Sequence, residues 1–372
     1  MSRVIRSATA RVVRLDRMAR VRKITVIAPM RNEADHIEGF VHDLANQDFP
    51  GELELFVADG SSTDGSVELL EDAAERAGLA LTVIANPAEW VSHGLNECIR
   101  RASGDLIVRL DCHSRYPQDY LRRCALAAEE TGAENVGGLF VAHGRTATER
   151  AVACAMHSPF GGVGWRLDGS TTSRIDVDTV PYGAFRPRAF QLAGLFDERL
   201  RRNQDDEFNA RLRSRGGRVV LDPAVRVFYT PRGSLRKLFR QYYEYGLWKV
   251  PVMIKHRKAM SLRSLAPPAF VVSVLVLGVL DGWWEAARLA LALEVGLYVA
   301  AALAFAALAI SIRREPWRFL PRVVAAFATF HVAYGLGMVR GWATAWVGLF
   351  SKRRESAPQV CQLENRSKLD AA

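Results

Sequence analysis

The sequence contains only five cysteines in 372 residues, and no two of them are separated by two residues. An odd, scattered set of this kind argues against both a disulfide framework and a structural zinc site. No glycine-rich phosphate loop follows the first predicted strand, in either the G-x-G-x-x-G or the G-x-x-x-x-G-K-[ST] form, which excludes a dinucleotide-binding fold and a P-loop. The first 22 residues contain seven arginines and no long apolar run, so no secretory signal is expected. These absences predict a soluble part that lies in the reducing cytoplasm.

The apolar residues are segregated from the charged ones. Lysine and arginine outnumber aspartate and glutamate by 50 to 40, a net charge of +10, yet only four acidic residues lie between 267 and 350. That region contains the apolar runs 269–280 and 289–312, and a third run, 323–350, that is interrupted by Arg340. Such segregation excludes intrinsic disorder, a collagen-like fibre and an ordinary soluble enzyme. We expect two membrane spans, with the third run either spanning or re-entrant.

Basic clusters flank the apolar runs and predict the orientation of the chain. Lys249 and Arg263 precede the first run and Arg313 and Arg314 follow the second, so the positive-inside rule places both clusters in the cytoplasm. The basic N-terminal tail fits anionic lipid headgroups or a disordered leader, and the excess charge favours membrane lipids over nucleic acid as partners. The expected location is the inner (plasma) membrane, multi-pass, with a cytoplasmic soluble domain. The predicted organisation is a basic tail (1–22), a soluble domain (23–232), an amphipathic interfacial helix and basic linker (233–265), membrane helices (266–351) and a C-terminal tail (352–372).

Strand, loop and helix repeat along the N-terminal part of the chain. Short apolar runs at 23–29, 53–58, 81–85 and 106–110 are typical of buried strands, and segments with helical spacing follow the first three. This alternation predicts an α/β fold whose parallel sheet is covered by helices on both faces. Ligands of such sheets bind beyond the carboxyl ends of the strands, where Glu33, Asp59 and Asp111 fall.

Carboxylates at this edge suit a nucleotide diphosphate. A base N–H needs a hydrogen-bond acceptor, and a departing diphosphate needs a divalent cation that neutralises its charge. Capping of the following helices is the competing interpretation of the same acids. The sequence predicts a metal-dependent nucleotide site that has no glycine cradle.

Five motifs follow one another in a familiar order. They are PMRNE (29–33), DGSSTD (59–64), GDLIVRLDCH (104–113), PYGAFR (181–186) and NQDDEF (203–208). Together they resemble the inverting family 2 glycosyltransferases, which implies a GT-A domain over 23–232, a Rossmann-like nucleotide-diphospho-sugar transferase fold, followed by the membrane helices. The third and fourth motifs are most similar to those of succinoglycan-type membrane glucosyltransferases.

The resemblance assigns a donor site and a metal. Asp111 would be the metal carboxylate, and His113 replaces the second carboxylate of the family's usual Asp-x-Asp. Oxygen ligands suit Mg²⁺, whereas an added nitrogen shifts the preference towards Mn²⁺, so the expected cofactor is Mn²⁺ or Mg²⁺. The donor-binding residues implied are Pro29, Asn32, Glu33, Asp59, Asn96, Arg109 and Asp111.

The resemblance also assigns a base and an acceptor site. Asp205 would take the proton from the acceptor hydroxyl as that hydroxyl attacks the anomeric carbon. Relatives carry a Glu-Asp pair where this chain has Gln204 and Asp205. Acids that complement a helix N-terminus are a second interpretation of this segment, compatible with the first. The residues expected to bind the acceptor are Gly183, Ala184, Phe185, Arg186, Gln241 and Tyr242.

The expected reaction transfers a hexose, glucose from UDP-glucose, to a polyprenyl-diphosphate-linked saccharide during exopolysaccharide or cell-envelope glycan synthesis. The expected partners are the nucleotide-sugar donor, the lipid-linked acceptor and membrane lipids. Gln241 is not followed by the Arg-Trp of the processive Gln-x-x-Arg-Trp pattern, which argues against a polymer-extruding synthase. Two alternatives stay open: a polyprenyl-phosphate sugar synthase that uses a UDP- or GDP-sugar, and a catalytically silent assembly scaffold.

Overall fold

A mixed β-sheet organises the N-terminal part of the chain in the computed structural model, which describes residues 20–161, 173–256 and 262–346. The strands in these ranges are β1 (Lys23–Met30), β2 (Glu52–Asp59), β3 (Leu81–Ala85), β4 (Leu106–Arg109), β5 (Ser114–Arg115), β6 (Asn135–Ala142), β7 (Ile175–Asp176), β8 (Ala184–Phe185) and β9 (Val219–Tyr229). The helices are α1 (Ala34–Ala45), α2 (Ser66–Ala77), α3 (Val91–Arg101), α4 (Tyr120–Thr131), α5 (Ala147–Met156), α6 (Pro187–Ala193), α7 (Gln204–Ser214), α8 (Leu235–His256), α9 (Ala266–Leu280), α10 (Glu285–Arg313) and α11 (Leu320–Trp346). The tail predicted over 1–22 lies almost wholly, and that over 352–372 wholly, outside the described residues.

The order of the strands places the ends of β1, β2 and β4 side by side. The strand order is β3-β2-β1-β4-β8-β6-β9-β5, and β7 pairs with β9. Met30 lies opposite Asp59 and Ile27 opposite Arg109 in parallel register. The predicted parallel sheet is confirmed for the first four strands. Beyond β4 the sheet is mixed, because the two-residue strand β8 pairs antiparallel with both β4 and β6.

Apolar side chains alternate between the two faces of the sheet. In β1, Val26 belongs to a core cluster shared with α1, α2 and α4, whereas Ile27 belongs to a second cluster shared with α3, α6 and α7. Both side chains are completely buried, and burial of one such side chain contributes about 1.5–3 kcal/mol. The two cores therefore fix the strand order, and with it the edge at which the loops meet.

Three helical segments in the described residues are long and apolar enough to cross a membrane: Arg263–Leu280, Glu285–Arg313 and Trp317–Trp346. The third was predicted as an interrupted run, but α11 continues through Arg340. The Arg340 guanidinium donates to the hydroxyl of Tyr243 on α8 at 3.1 Å. The charged side chain thus has a polar partner on α8, and α11 continues past it. The orientation of the three helices stays a prediction.

Helix α8, predicted as an interfacial helix, packs lengthwise against α11. A Cβ added to Gly246 would lie 2.1 Å from the carbonyl oxygen of Tyr334, and one added to Gly337 would lie 2.1 Å from that of Tyr243. Only glycine allows the two backbones to approach this closely. The soluble part and the apolar helices are thereby joined through α8.

Candidate active site

The loops after β1 and β2 interlock at the carboxyl edge of the sheet. Asn32 and Ser61 have left-handed backbone conformations, with φ of 53° and 60°. The Asn32 N–H donates to Ser62 Oγ (2.9 Å), and Asn32 Oδ1 accepts from the Thr63 N–H (2.9 Å). Asn32 therefore holds the two loops together. Asp59 accepts from the Ser62 N–H at 3.2 Å, and its side chain is half-buried beside them.

Arg109, at the end of β4, connects two of the predicted site carboxylates. It is 7% exposed, and its guanidinium donates to Asp205 and, at 3.2 Å, to Asp111. The guanidinium carbon also lies 5.9 Å from the ring centre of Tyr182. Asp205 Oδ1 is buried and has no hydrogen-bond partner among the described residues. Burial raises the pKa of Asp205, and the positive charge of Arg109 opposes that rise.

His113 is held by a carboxylate from a different loop. Its Nδ1 lies 2.9 Å from Oε1 of Glu33, which the sequence analysis assigned to the donor. Burial lowers the pKa of His113, but the bond to Glu33 and the charge of Asp111 outweigh burial and raise it. Because Nδ1 faces Glu33, Nε2 is the ring nitrogen left for a ligand. Pro29 lies half-buried at the end of β1, in the same part of the site.

A divalent cation fits this arrangement only if the substrate completes its coordination. The described residues contain no group of three or more histidine, cysteine, aspartate or glutamate side chains placed to hold a metal ion. Asp111 and His113 can offer one oxygen and one nitrogen. Sites of this kind, completed by substrate phosphates and water, are typical of Mg²⁺ and are open to Mn²⁺. The residues therefore fit a cation that arrives with a nucleotide diphosphate.

Helix α8 fixes the first turn of α7, which carries Asp205. Asn203, with φ of 61°, precedes that turn, and its side-chain amide donates to the Tyr245 carbonyl of α8 at 2.9 Å. Lys249 of α8 pairs with Asp206 at 2.8 Å. These contacts could not be predicted from the sequence, because no local pattern reveals that a downstream helix packs beside the site.

The structure corrects the role expected for Asn96. This residue lies on α3 and is 1% exposed. Its Nδ2 donates to the Phe196 carbonyl (3.0 Å) and to Glu198 Oε1 (2.8 Å), and its Oδ1 accepts from the Phe196 N–H (2.9 Å). Because both ends of the amide are engaged in the protein interior, Asn96 positions the loop before α7 and does not reach a donor.

Four of the residues expected to bind the acceptor lie instead in the sheet and its core. Gly183 and Ala184 are buried, and Phe185 packs its ring among Phe190, Phe196 and Phe208. Arg186 donates to the Ala128 carbonyl at 2.8 Å. The tertiary pairing of β8 between β4 and β6 places Ala184 and Phe185 in the core, away from an acceptor. A role of Gly183 and Arg186 at the acceptor stays a prediction.

The two acceptor candidates on α8 point in different directions. Gln241 donates to the hydroxyls of Tyr245 (2.9 Å) and Tyr229 (3.3 Å), and the Tyr229 ring lies 6.3 Å from that of His113. Gln241 therefore belongs to the surroundings of the site. Tyr242 stacks on Phe330 of α11 at 4.3 Å between ring centres, so its ring faces α11, and its role at the acceptor stays a prediction.

Comparison with known proteins identifies the family. The family described as Glycosyl transferase family 2 matches residues 25–188. The succinoglycan biosynthesis protein ExoA of Rhizobium meliloti (strain 1021) is 30% identical over 319 residues, which cover 85% of this chain and 93% of that protein. The chain belongs to glycosyltransferase family 2.

Further similarities of this family 2 glycosyltransferase agree with its fold. A dolichyl N-acetyl-α-D-glucosaminyl phosphate 3-β-D-2,3-diacetamido-2,3-dideoxy-β-D-glucuronosyltransferase of Methanococcus voltae is 25% identical over 236 residues, covering 61% of this chain and 72% of that protein. The structure of the mannosyltransferase PcManGT from Pyrobaculum calidifontis, in complex with GDP-Man and Mn²⁺, matches with a TM-score of 0.60 at 19% identity, covering 89% of this chain and 92% of that chain. The predicted GT-A fold is confirmed. With its long apolar helices, the chain is a membrane-associated family 2 glycosyltransferase.

Proposed function

We propose that this enzyme transfers glucose from UDP-glucose, with inversion, to a saccharide carried on a polyprenyl diphosphate. One relative is named for a dolichyl-linked sugar phosphate, which supports a lipid-borne acceptor. Another is named for succinoglycan biosynthesis, which supports a role in exopolysaccharide synthesis. The three candidate membrane spans support a lipid-borne acceptor, because they would keep the site close to the membrane surface.

The observation that carries the proposal is the free oxygen of Asp205. Its Oδ1 is buried without a partner among the described residues, while its other oxygen accepts from Arg109. A carboxylate held in this way can accept the proton of an acceptor hydroxyl as the oxygen attacks the anomeric carbon. Burial raises the pKa of this carboxyl, and the positive charge of Arg109 opposes that rise. One such displacement inverts the anomeric centre.

The donor would occupy the loops after β1, β2 and β4. Asp59 is placed to accept a hydrogen bond from a base N–H, and Asn32 keeps the two loops in register. Asp111 and Nε2 of His113 would hold the cation, which neutralises the departing diphosphate when bound. Glu33 would orient His113 through Nδ1.

The test is the Asp205→Asn variant of the full chain in membranes. We expect transfer to fall at least about 100-fold, because a general base contributes about 10²–10⁴-fold. Titration with UDP and Mn²⁺ is expected to match wild type, because Asn keeps the shape of the side chain. Asp72→Asn on α2, exposed and remote from the site, is the matched control. Full activity in Asp205→Asn would contradict the mechanism.

A donor screen separates this proposal from its alternatives. Nucleotide release from UDP-, GDP- and TDP-sugars identifies the donor, and mass analysis of the lipid product shows whether one sugar or several are attached. A product with a single sugar on polyprenyl phosphate would replace the proposed acceptor. Absence of both nucleotide binding and transfer would favour a scaffold.

A further inference from the structure

A small cavity lies where the soluble domain meets the end of a membrane helix. Its volume is about 300 Å³, and it is formed by the segment after β6, by α5 and by the end of α10. The residues that line it are His143, Gly144, Arg145, Arg150, Ala153, Arg313 and Glu315. Four of these seven are basic or potentially basic, so the cavity is built for an anion.

The positive charge of the cavity is only partly neutralised by the protein. Arg150 pairs with Glu315 at 2.6 Å, and Arg313 donates to the carbonyl of Ala142 at 3.4 Å. Within the described ranges, neither Arg145 nor Arg313 has a carboxylate within ion-pair distance. Three arginines and one glutamate leave a net charge of +2 before any contribution from His143. Outside the lining, Glu149 accepts from the Arg145 N–H at 2.9 Å, and the Thr146 N–H together with the charge of Arg145 lowers the pKa of Glu149. An anionic ligand would still meet two guanidinium groups that have no direct ion pair among the described residues.

The cavity connects the membrane surface to the proposed site. Arg313 is the last residue of α10, and a basic residue at the end of an apolar helix marks the membrane surface. On the other side, the His143 N–H donates to the Tyr229 carbonyl at 2.8 Å, and the Tyr229 ring lies 6.3 Å from that of His113. An anion in the cavity would thus sit between the end of a membrane helix and the residues assigned to catalysis.

The neighbouring surface suits a lipid chain. Leu308 and Ile312, four residues apart on α10, are 48% and 71% exposed and lie just before Arg313. Residues at this spacing share one helix face. A lipid whose charged group occupied the cavity could lay its chain along this face. The volume of the cavity suits a phosphate or diphosphate group, with saccharide and hydrocarbon extending outside.

We propose that this cavity binds the diphosphate of the lipid-linked acceptor, with Arg145 and Arg313 as two of its guanidinium partners. Guanidinium groups bind phosphate oxygens in a bidentate manner, which gives both affinity and orientation. The assignment rests on the proposed function, since it is the acceptor of that reaction that carries the diphosphate. It assigns an acceptor subsite to residues that none of the sequence motifs contains.

The test measures binding of farnesyl diphosphate to the full chain in phosphatidylcholine nanodiscs that contain EDTA. The chelator removes divalent cations, so binding through a metal at Asp111 does not contribute. We expect Arg145→Gln and Arg313→Gln each to weaken binding about tenfold, which corresponds to ~1.4 kcal/mol. Arg145→Lys is expected to weaken it less, and Arg322→Gln, an exposed arginine outside the cavity, to leave it unchanged. Thermal unfolding of each variant checks that it is folded.

Equal binding in wild type and in both glutamine variants, or no binding in wild type, would overturn the assignment. The assignment would also be overturned if the glutamine variants lost affinity for phosphatidylglycerol but kept it for farnesyl diphosphate. That result would indicate a site for ordinary lipid headgroups. The binding assay needs no turnover. If the donor screen finds no transfer to lipid, the proposed function fails. The farnesyl diphosphate binding assay would still show whether the cavity binds a lipid diphosphate.

Discussion

Replacement of Arg109 with methionine removes the positive charge between the two site carboxylates and keeps the length of the side chain. Arg109 is 7% exposed and donates to Asp205 and Asp111. Removing one partner of a fully buried ion pair costs about 3–5 kcal/mol. The two carboxylates retain 16% and 30% exposure, so solvent reduces the cost, and we expect a loss of about 2 kcal/mol in the free energy of unfolding.

The variant is also expected to change the pH dependence of transfer. Burial raises the pKa of Asp205, and Arg109 at present opposes that rise. Without Arg109 the pKa of Asp205 rises further, so the base is protonated at pH values where the wild-type base is ionised. The acid limb of kcat against pH therefore moves to higher pH. Transfer at about pH 7 is therefore expected to fall, and to recover partly as the pH increases.

The assay follows UDP release with saturating donor and acceptor from about pH 5 to about pH 9, a range that brackets the titration of a general base. Arg174→Met is the matched control, because Arg174 also bridges two carboxylates, Asp222 at 2.5 Å and Glu130, away from the site. It is expected to lower stability without moving the acid limb. An Arg109→Met enzyme with an unmoved acid limb and wild-type kcat would refute the role given to Arg109.

Three further changes test other parts of the structure. His113→Asp restores an Asp-x-Asp pattern. Because an oxygen ligand replaces a nitrogen ligand, we expect the ratio of Mg²⁺-supported to Mn²⁺-supported activity to increase. An unchanged ratio would contradict the role of His113 as a metal ligand. Gly246→Val places a carbon atom 2.1 Å from the carbonyl oxygen of Tyr334, so we expect α8 and α11 to separate, with a lower Tm and loss of transfer. The control Gly278→Ala, where an added Cβ meets nothing within 4 Å, is expected to behave as wild type. Burial alone would raise the pKa of Glu54, but Lys23 and neighbouring hydroxyls lower it from 4.5 to about 2. This stabilisation is therefore present above the ordinary pKa and is lost as the pH falls towards about 2. Because solvent screens the pair with Lys23, Glu54→Gln is expected to remove about 1 kcal/mol at neutral pH and to flatten Tm against pH. An equally steep profile would contradict this assignment.

The first four strands could be predicted from the sequence because each is an apolar run bounded by polar loops. β1 was expected at 23–29 and spans Lys23–Met30, and β3 agrees at both ends. β8 could not be predicted, since its two residues become a strand only through pairing with β4 and β6. α8 continues through Pro251 to His256, a case in which packing against α11 outweighs the local preference of proline to end a helix.

The site was predictable to the extent that strand topology determines it. Glu33, Asp59 and Asp111 follow parallel neighbours in the sheet, so their meeting at one edge follows from the strand order. The role of Arg109 was hidden, because all four residues of β4 are buried and their sequence has no polar and apolar alternation that would show the direction of a side chain. Asn96 was misjudged because its partners, Phe196 and Glu198, lie about a hundred residues away in the chain.

The position of Asp205, the proposed base, depends on α8 and α11. Asp205 lies in the first turn of α7, and that turn is tied to α8 by the bond from Asn203 to the Tyr245 carbonyl and by the pair between Lys249 and Asp206. α8 in turn is held against α11 through backbone contacts at Gly246. The donor loops are built on β1, β2 and β4, without these helices. The proposed base is therefore held from two sides, by Arg109 of β4 and by α8. We expect a displacement of α8 to lower transfer more than it lowers nucleotide binding.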